Sequence, residues 1–316
     1  MDTRYKGKRI LMALLAITAL AGCATTSSNG HEDDPYGAFY EGESSATYAT
    51  AFPVGSAEEA YSNGNKAAER GDYDRALFEY IRGLRLASEP TADILYRIGS
   101  IHHFRENNRL AELAYEWVLR LEPEHLQAGT GLGLLYLERR QYGAAKIQLD
   151  SVVKLSSRAP WQAYNALGVL ADMNSKPWNA EDYYQQALDI NPGSPLILNN
   201  LGYSRYLAGD WPGAREALEA ALRVNGNYEL AWRNLGLVHA REKNYQFALE
   251  ALGRAGNESE AYNDVGFVSM IEGDYSRALS FFSEAMRLSP VYYVKASENA
   301  DNTRRMMDRD VVRDAQ

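Results

Sequence analysis

A glycine recurs seven times inside helical patterns at nearly constant spacing, and no other feature of the sequence constrains the fold as strongly. The intervals between successive copies are 35, 34, 35, 34, 34 and 30 residues, and an alanine follows each glycine twelve residues later. The pairs are Gly64 and Ala76, Gly99 and Ala111, Gly133 and Ala145, Gly168 and Ala180, Gly202 and Ala214, Gly236 and Ala248, and Gly266 and Ala278. A glycine in mid-helix costs about 1 kcal/mol relative to alanine. We therefore expect two helices to approach closely in each copy, with the glycine and the alanine facing each other.

The period of about 34 residues resembles that of the tetratricopeptide repeat family, in which each repeat is a helix–turn–helix unit. The fourth copy carries the rest of the family pattern at Tyr164, Leu167, Gly168, Ala180, Tyr184, Ala187 and Pro192. Three turns combine a left-handed C-cap glycine with an N-cap aspartate, at Gly71 and Asp72, Gly209 and Asp210, and Gly273 and Asp274. The resemblance implies an all-α superhelical solenoid of about seven helix–turn–helix repeats plus a C-terminal capping helix.

The chain divides into four predicted parts. Residues 1–22 are a signal peptide, residues 23–56 a lipidated flexible tether, residues 57–292 the repeats, and residues 293–316 a capping helix with a frayed tail. The predicted repeats are 57–90, 92–125, 126–159, 161–194, 195–228, 229–258 and 259–292. The sixth repeat is short, which predicts a local change of superhelical curvature; the alternative is a deletion that the stack tolerates.

The N-terminus has the three-part pattern of a secretory signal. Basic residues precede an apolar stretch of twelve residues, from Ile10 to Ala21, which is too short to span about 30 Å of hydrocarbon. The run Leu20, Ala21, Gly22, Cys23 then resembles the bacterial lipobox, whose cysteine is lipidated after cleavage. Cys23 is the only cysteine, and a free thiol or an intermolecular disulfide would not explain its place after a signal core. The resemblance implies a covalent lipid on Cys23 that anchors the protein.

The residue after this cysteine bears on the location of the protein. It is Ala24, where enterobacterial lipoproteins that stay in the inner membrane carry aspartate. The resemblance therefore implies the outer membrane, with the body facing the periplasm and membrane contact through the lipid anchor only.

The segment after the anchor is rich in small polar and acidic residues and has no helical period, which is typical of a flexible tether. It nevertheless contains the aromatic residues Tyr36, Phe39, Tyr40, Tyr48 and Phe52. These either are incidental to a spacer, which the composition favours, or dock on a partner or on the folded body.

Charge and residue content argue against several kinds of function. The formal net charge is −9, of which residues 1–22 contribute +3, so the remainder carries −12 and repels nucleic-acid phosphates. The five histidines form no zincin pattern, and a single cysteine gives no metal site. His102 occupies a packing position in the repeat register, which favours a structural role. We expect no enzyme, no metal, no small-molecule substrate, no nucleic acid, and no cofactor besides the covalent lipid.

In such a solenoid the first helices line a concave groove, and the repeat register identifies the residues that point into it. They are Tyr61, Tyr96, Leu134, Leu137, Asn165, Val169, Asn199, Tyr203, Tyr206, Arg233, Leu237, Asn263, Phe267 and Met270. The three asparagines are expected to hydrogen-bond an extended peptide. The positions that form the carboxylate clamp of the family are mainly apolar here, with Arg233 the main exception. We predict that the groove binds an apolar segment or amphipathic helix of a protein partner; the alternative is that some of these side chains pack between repeats.

Three runs in the C-terminal half carry a more specific resemblance. They are Asn199–Tyr203 with Leu207, Gly209 and Asp210, Ala261–Gly266 with Gly273–Tyr275, and Ser289, Pro290, Tyr292, Tyr293 and Asn299. These runs resemble the TadD lipoproteins of tight-adherence (Flp) pilus systems. The resemblance implies a pilotin-like scaffold that binds the pilus secretin, or another Tad pilus component, and aids its assembly in the outer membrane. Two alternatives are a type IVa pilotin like PilF and an envelope-maintenance adaptor like NlpI, which recruits peptidoglycan enzymes or proteases.

Overall fold

A computed structural model describes residues 35–39, 54–156, 158–174 and 177–314. Within these ranges the regular structure consists of fifteen α-helices and one 3-10 helix, with no strand. The predicted all-α class is confirmed. The predicted signal peptide, Cys23 and most of the predicted tether lie outside the described residues.

The α-helices form seven consecutive pairs followed by one final helix. The pairs are α1 (Ala57–Glu69) and α2 (Tyr73–Leu86), α3 (Ala92–Phe104) and α4 (Asn108–Leu121), α5 (Leu126–Glu138) and α6 (Tyr142–Leu155), α7 (Trp161–Met173) and α8 (Pro177–Ile190), α9 (Pro195–Ala208) and α10 (Trp211–Val224), α11 (Glu229–Arg241) and α12 (Tyr245–Ala255), and α13 (Glu258–Ile271) and α14 (Tyr275–Leu288). Helix α15 (Val294–Asp314) packs on the last pair. The predicted solenoid of about seven repeats with a capping helix is therefore confirmed.

The first helix of each pair lies on the inner side of the solenoid. The two helices of each pair pack against each other, and each second helix packs against the helix that follows it. From α3 onward the first helices of successive pairs also contact one another. Because the first helices are this close together, they form the inner, concave layer, and the second helices form the outer layer.

The recurring glycines make room for a large side chain of the second helix. The seven recurring alanines are completely buried. A Cβ at Gly168 would lie 2.6 Å from the ring of Tyr184, and a Cβ at Gly236 would lie 2.5 Å from Cγ of Leu252. Both neighbours stand one helical turn after the recurring alanine. The glycine also faces the recurring alanine as expected, since a Cβ at Gly236 would lie 3.1 Å from the carbonyl oxygen of Ala248. What the sequence did not show is that the larger residue one turn after the alanine fills the space over the glycine.

The turns within the repeats use the left-handed backbone conformation at a fixed position. Glycine occupies it with φ of 74°, 81° and 78° at Gly71, Gly209 and Gly273. The aspartate after each of these accepts a hydrogen bond from a backbone N–H three residues later, as predicted for Asp72, Asp210 and Asp274. Residues with side chains hold the same position with φ of 61°, 59° and 63° at Glu106, Arg140 and Lys243. The repeat geometry thus imposes this conformation even where the residue disfavours it.

Residues 35–39, called the docked segment below, pack on the outer layer. The segment contains the 3-10 helix Gly37–Phe39, which contacts α2 and α4. The ring of Tyr36 stacks on Trp117 with 5.3 Å between centroids and 8° between planes, and Phe39 is completely buried. His102 Nε2 lies 3.0 Å from the carbonyl oxygen of Phe39, and the His102 side chain is buried. The view of the tether aromatics as incidental is therefore wrong for Tyr36 and Phe39, and His102 has a structural role.

The sixth repeat is short because its second helix is short. Helix α12 has 11 residues, whereas each of the other second helices has 14. Near its end the Arg254 guanidinium lies 4.6 Å from the ring centroid of Trp232, on the preceding helix. The change of curvature at this repeat stays a prediction. Across the described ranges, none of the helices combines the length and apolar character needed to cross a membrane.

Candidate functional site on the concave face

A row of apolar side chains runs along the concave face through five successive repeats. It comprises Leu134, Val169, Tyr203, Leu237 and Phe267, and each stands directly after the recurring glycine of its repeat. The glycine faces the second helix, so the next residue, about 100° further round the helix, points toward the groove. Tyr203 and Phe267 are 40% and 43% exposed, and the other three are half-buried. This apolar row is the main surface on which the groove can bind a partner.

Asparagine side chains connect neighbouring first helices beside the apolar row. Asn200 Nδ2 donates to Asn165 Oδ1 at 3.0 Å, and Asn234 Nδ2 donates to Asn199 Oδ1 at 2.9 Å. At the C-terminal end, Asn299 Nδ2 of α15 donates to Asn263 Oδ1 at 2.9 Å. We call these three bonds the amide ladder. They hold successive inner helices in register, because each bond joins residues about one repeat apart in the chain.

Three of the predicted groove residues do not reach the groove surface. Asn199 is only 4% exposed and Asn263 is completely buried, and each accepts a hydrogen bond from an asparagine of a following helix, on α11 and on α15 respectively. Met270 is 8% exposed and packs with Phe282 and Ala300, which places it in the core beneath the capping helix. The prediction that these three residues contact a partner is therefore wrong.

The two predicted tyrosines of the fifth repeat form a stacked pair. The ring centroids of Tyr203 and Tyr206 are 6.0 Å apart and the planes differ by 18°. Arg241 Nε donates to the Tyr206 hydroxyl at 3.2 Å, and Arg241 also pairs with Glu272 of the next repeat. Tyr206 is thus held by its neighbours, whereas Tyr203 keeps an open face toward the groove.

The remaining predicted residues have different surroundings. Tyr61 places its ring over Gly83 of α2, so it packs largely within the first repeat. Tyr96 lies 5.3 Å from His125 between ring centroids, and Leu137 packs at the edge of the core. Arg233 is exposed on the inner face, and in the described part of the chain no carboxylate pairs with it. The predicted set is therefore not one continuous surface.

The register also missed two residues near Tyr96. Arg158 and Trp161 line a cavity on the concave face with Tyr96 and Leu134. Arg158 stands in the connection before α7 and Trp161 is the first residue of that helix. A register built on the middle of the first helices does not include either position.

One carboxyl group is half-buried beside the groove. Asp172 accepts hydrogen bonds from the Tyr184 hydroxyl at 2.8 Å and from the Ser204 hydroxyl at 2.7 Å. Burial raises the pKa of Asp172 above its ordinary value, while the two hydroxyl donors lower it in part. The bond from Ser204 joins the fifth repeat to the fourth. Within the described ranges, the His, Cys, Asp and Glu side chains form no group of three or more that could hold a metal ion.

Comparison with known families supports this architecture directly. A profile of the tetratricopeptide repeat family matches residues 104–160, 130–195 and 199–264, which together make up half of the chain. Human cell division cycle protein 16 homolog is 28% identical over 123 residues, which cover 34% of this chain and 20% of that protein. The peroxisomal targeting signal receptor of Saccharomyces cerevisiae is 26% identical over 172 residues, covering 52% and 28%. The chain thus spans less than a third of the length of either relative.

Solved structures show the same fold at low identity. A tetratricopeptide repeat protein from Parabacteroides merdae superposes with a TM-score of 0.55 at 15% identity, covering 78% of this chain and 98% of that one. A Pseudomonas aeruginosa pilF structure superposes with a TM-score of 0.52 at 18% identity, covering 66% and 95%. At these identities the similarity concerns the fold alone.

Proposed function

The chain belongs to the tetratricopeptide repeat family, and from that premise we propose that it is a non-enzymatic, outer-membrane lipoprotein scaffold. In this proposal the lipid on Cys23 anchors the protein, and the concave groove binds an apolar or amphipathic segment of a protein partner. The partner is the secretin of a tight-adherence (Flp) pilus, which the protein helps to assemble as a pilotin does.

The apolar row is the observation that carries the proposal. Two of its five side chains, Tyr203 and Phe267, are exposed by 40% and 43% although both are large and apolar. Burial of such side chains is favourable by about 25 cal/mol per Å² of apolar surface. An amphipathic helix or apolar strand laid along five repeats covers one side chain per repeat, which is a groove mode of peptide recognition.

The polar groups beside the row fit an apolar occupant. The asparagines of the amide ladder already bond to one another at 2.9 to 3.0 Å. Covering them therefore leaves fewer amide atoms that have lost water without gaining a partner, a loss that costs about 1 to 3 kcal/mol per group. A peptide that needed these amides would have to break the ladder first.

The lipid anchor and the pilus assignment rest on the sequence. The run that ends at Cys23 supports lipidation, and the runs shared with the TadD lipoproteins support the choice of the secretin. The pilF structure supports the proposal at the level of the fold. A groove held near the membrane by a lipid suits a partner that must itself be brought to that membrane.

The test is the amount and multimeric state of the Tad secretin in outer membranes from cells with and without the gene. We expect multimers to disappear or mislocalise without the gene, and to return with the wild-type chain but not with Cys23→Ser. A Tyr203→Ser, Phe267→Ser double variant should also fail, since it removes the two most exposed side chains of the row.

The matched control is Ile147→Ser. Ile147 is 75% exposed on the second helix α6, away from the apolar row, so this variant should restore the multimers. A secretin that is unchanged without the gene would refute the pilotin proposal. Crosslinks from Tyr203 to peptidoglycan enzymes would then favour the NlpI-like alternative, and neighbouring genes for cell-wall hydrolases would agree with it.

A further inference from the structure

A cavity of about 410 Å³ opens on the concave face where the second, third and fourth repeats meet. Its wall contains the rings of Tyr96, Tyr115 and Trp161, the side chain of Leu134, and the Arg158 guanidinium. The volume lies at the lower end of the range for ligand pockets, about 300 to 1,000 Å³. It therefore suits one large side chain or a small group of atoms, not a whole helix.

The cavity exists because helix α5 carries small residues where the preceding first helix carries large ones. Thr130 and Gly131 occupy the register positions that Tyr96 and Arg97 hold in α3. A Cβ at Gly131 would lie 2.7 Å from Cζ of Tyr115, on α4. The missing side chain at Gly131 thus leaves the Tyr115 ring as part of the cavity wall.

The chemistry of the wall selects the occupant. Three aromatic rings favour an aromatic side chain, since paired rings gain about 0.5 to 1.5 kcal/mol beyond the area they bury. Arg158 is exposed and, among the described residues, no carboxylate forms an ion pair with it. Among the residues that the structure describes, no aspartate or glutamate lines the cavity, although the chain has a net charge of −9. A carboxylate is the group that complements this guanidinium.

We infer that this cavity binds an aromatic side chain of a partner polypeptide that has a carboxylate next to it. The ring enters between Tyr96, Tyr115 and Trp161, and the carboxylate accepts hydrogen bonds from Arg158. Leu134 belongs both to the apolar row and to the cavity wall, so the cavity is an anchor point at one end of the groove. This inference rests on the proposed function in so far as the partner is a protein, and it adds which side chains of that protein are recognised.

The test measures binding of labelled peptides to the full chain purified in detergent. The probes are fluorescein-labelled nine-residue peptides of glycine and serine with a central Phe–Glu, Phe–Gln, Ala–Glu or Phe–Lys pair, read by fluorescence polarisation up to ~1 mM protein, which reaches affinities near −4 kcal/mol. The Phe–Glu peptide should bind best. The Phe–Gln peptide should bind roughly tenfold more weakly, because one charge-assisted contact is lost.

Variants assign the carboxylate contact to one residue. Arg158→Gln should weaken binding of the Phe–Glu peptide roughly tenfold and should leave binding of the Phe–Gln peptide unchanged. A double-mutant cycle gives this result when the two groups are in direct contact. Arg223→Gln is the matched control, since Arg223 is an exposed arginine of α10 outside the cavity. Circular dichroism checks that both variants stay folded.

Several outcomes would overturn the inference. They are equal binding of the Phe–Glu and Ala–Glu peptides, preference for Phe–Lys, no binding of any peptide, or an Arg158→Gln variant that binds the Phe–Glu peptide as the wild type does. The assay contains no secretin, so its result is separate from that of the secretin test. If no peptide binds but the secretin multimers still require the gene, this inference alone is refuted. If the Phe–Glu peptide binds specifically but the secretin multimers are unchanged without the gene, the pilotin proposal alone is refuted.

Discussion

Replacing Gly236 by alanine should destabilise the sixth repeat although alanine favours helices. The new Cβ would lie 2.5 Å from Cγ of Leu252 and 3.1 Å from the backbone carbonyl oxygen of Ala248. Carbon atoms prefer separations of about 3.5 to 4.0 Å, so α11 and α12 would have to move apart by about 1 Å. Forcing extra atoms into a packed core costs about 1 to 3 kcal/mol, and the gain in helix propensity returns about 1 kcal/mol. We expect a net loss of up to about 2 kcal/mol.

The matched control lies in the same repeat. A Cβ at Gly253, on α12, would have no neighbouring atom within 4 Å, so Gly253→Ala should raise stability by about 0.5 to 1 kcal/mol. Urea unfolding followed by circular dichroism compares the two variants with the wild type. If Gly236→Ala unfolds at the same urea concentration as Gly253→Ala, the recurring glycine is not required for close packing and the reasoning fails.

Three further predictions concern other features of the fold. Lys243→Gly should raise stability by about 1 kcal/mol in urea unfolding, because Lys243 holds a left-handed φ of 63°; an unchanged midpoint would contradict this. Burial raises the pKa of Tyr115 to about 12, so the folded chain keeps this proton longer than the unfolded chain does. The resulting stability is fully present below pH 10 and is lost as the pH rises to 12, by about 2 to 3 kcal/mol, and Tyr115→Phe should remove this part of the alkaline loss in urea titrations at pH 9 and pH 11.5. Tyr36→Ser should speed amide hydrogen exchange in residues 36–39 by removing the ring stacked on Trp117; equal rates would show that the stack does not hold the docked segment.

Local sequence patterns predicted the fold because the repeat is built from local rules. The turn glycines, the aspartate caps and the glycine period all depend on residues within one helical hairpin. The partner of each glycine was harder to predict. The recurrence of glycine shows that no side chain fits at that position, but it does not show which residue of the second helix lies there. Ala180 and Tyr184 stand on the same face of α8, and only the packing shows that Tyr184 covers Gly168.

The sequence predicted the direction in which the groove residues point but not how deeply each side chain is buried. The register gives the angle of Asn199 around its helix, but burial depends on what the next inner helix places there. A signal existed in the sequence, since Asn200 and Asn234 recur one repeat apart and each stands one register position after an inward residue. Such a recurrence of polar residues indicates contacts between repeats as well as contacts with a partner.

One unusual residue of a second helix also indicated the surface on which the docked segment packs. Trp117 stands at a position of the second helix that is polar or small in the other repeats, at Arg82, Ser151, Gln186, Ala220, Arg254 and Glu284. An aromatic ring at an outward position of a single repeat needs a cover, and the sequence alone did not show that Tyr36 and Phe39 supply it.

The amide ladder has a consequence for cooperativity. Asn234 donates to Asn199, whose own Nδ2 lies 3.3 Å from Asn200 Oδ1, and Asn200 donates to Asn165, so one chain of amides passes through three repeats. In repeat arrays the free energy is a sum of single-repeat and nearest-neighbour contributions. Opening the fifth repeat therefore also removes hydrogen bonds from the fourth and the sixth. We therefore expect these three repeats to open together, so that a ligand bound to any one of them stabilises all three against local unfolding.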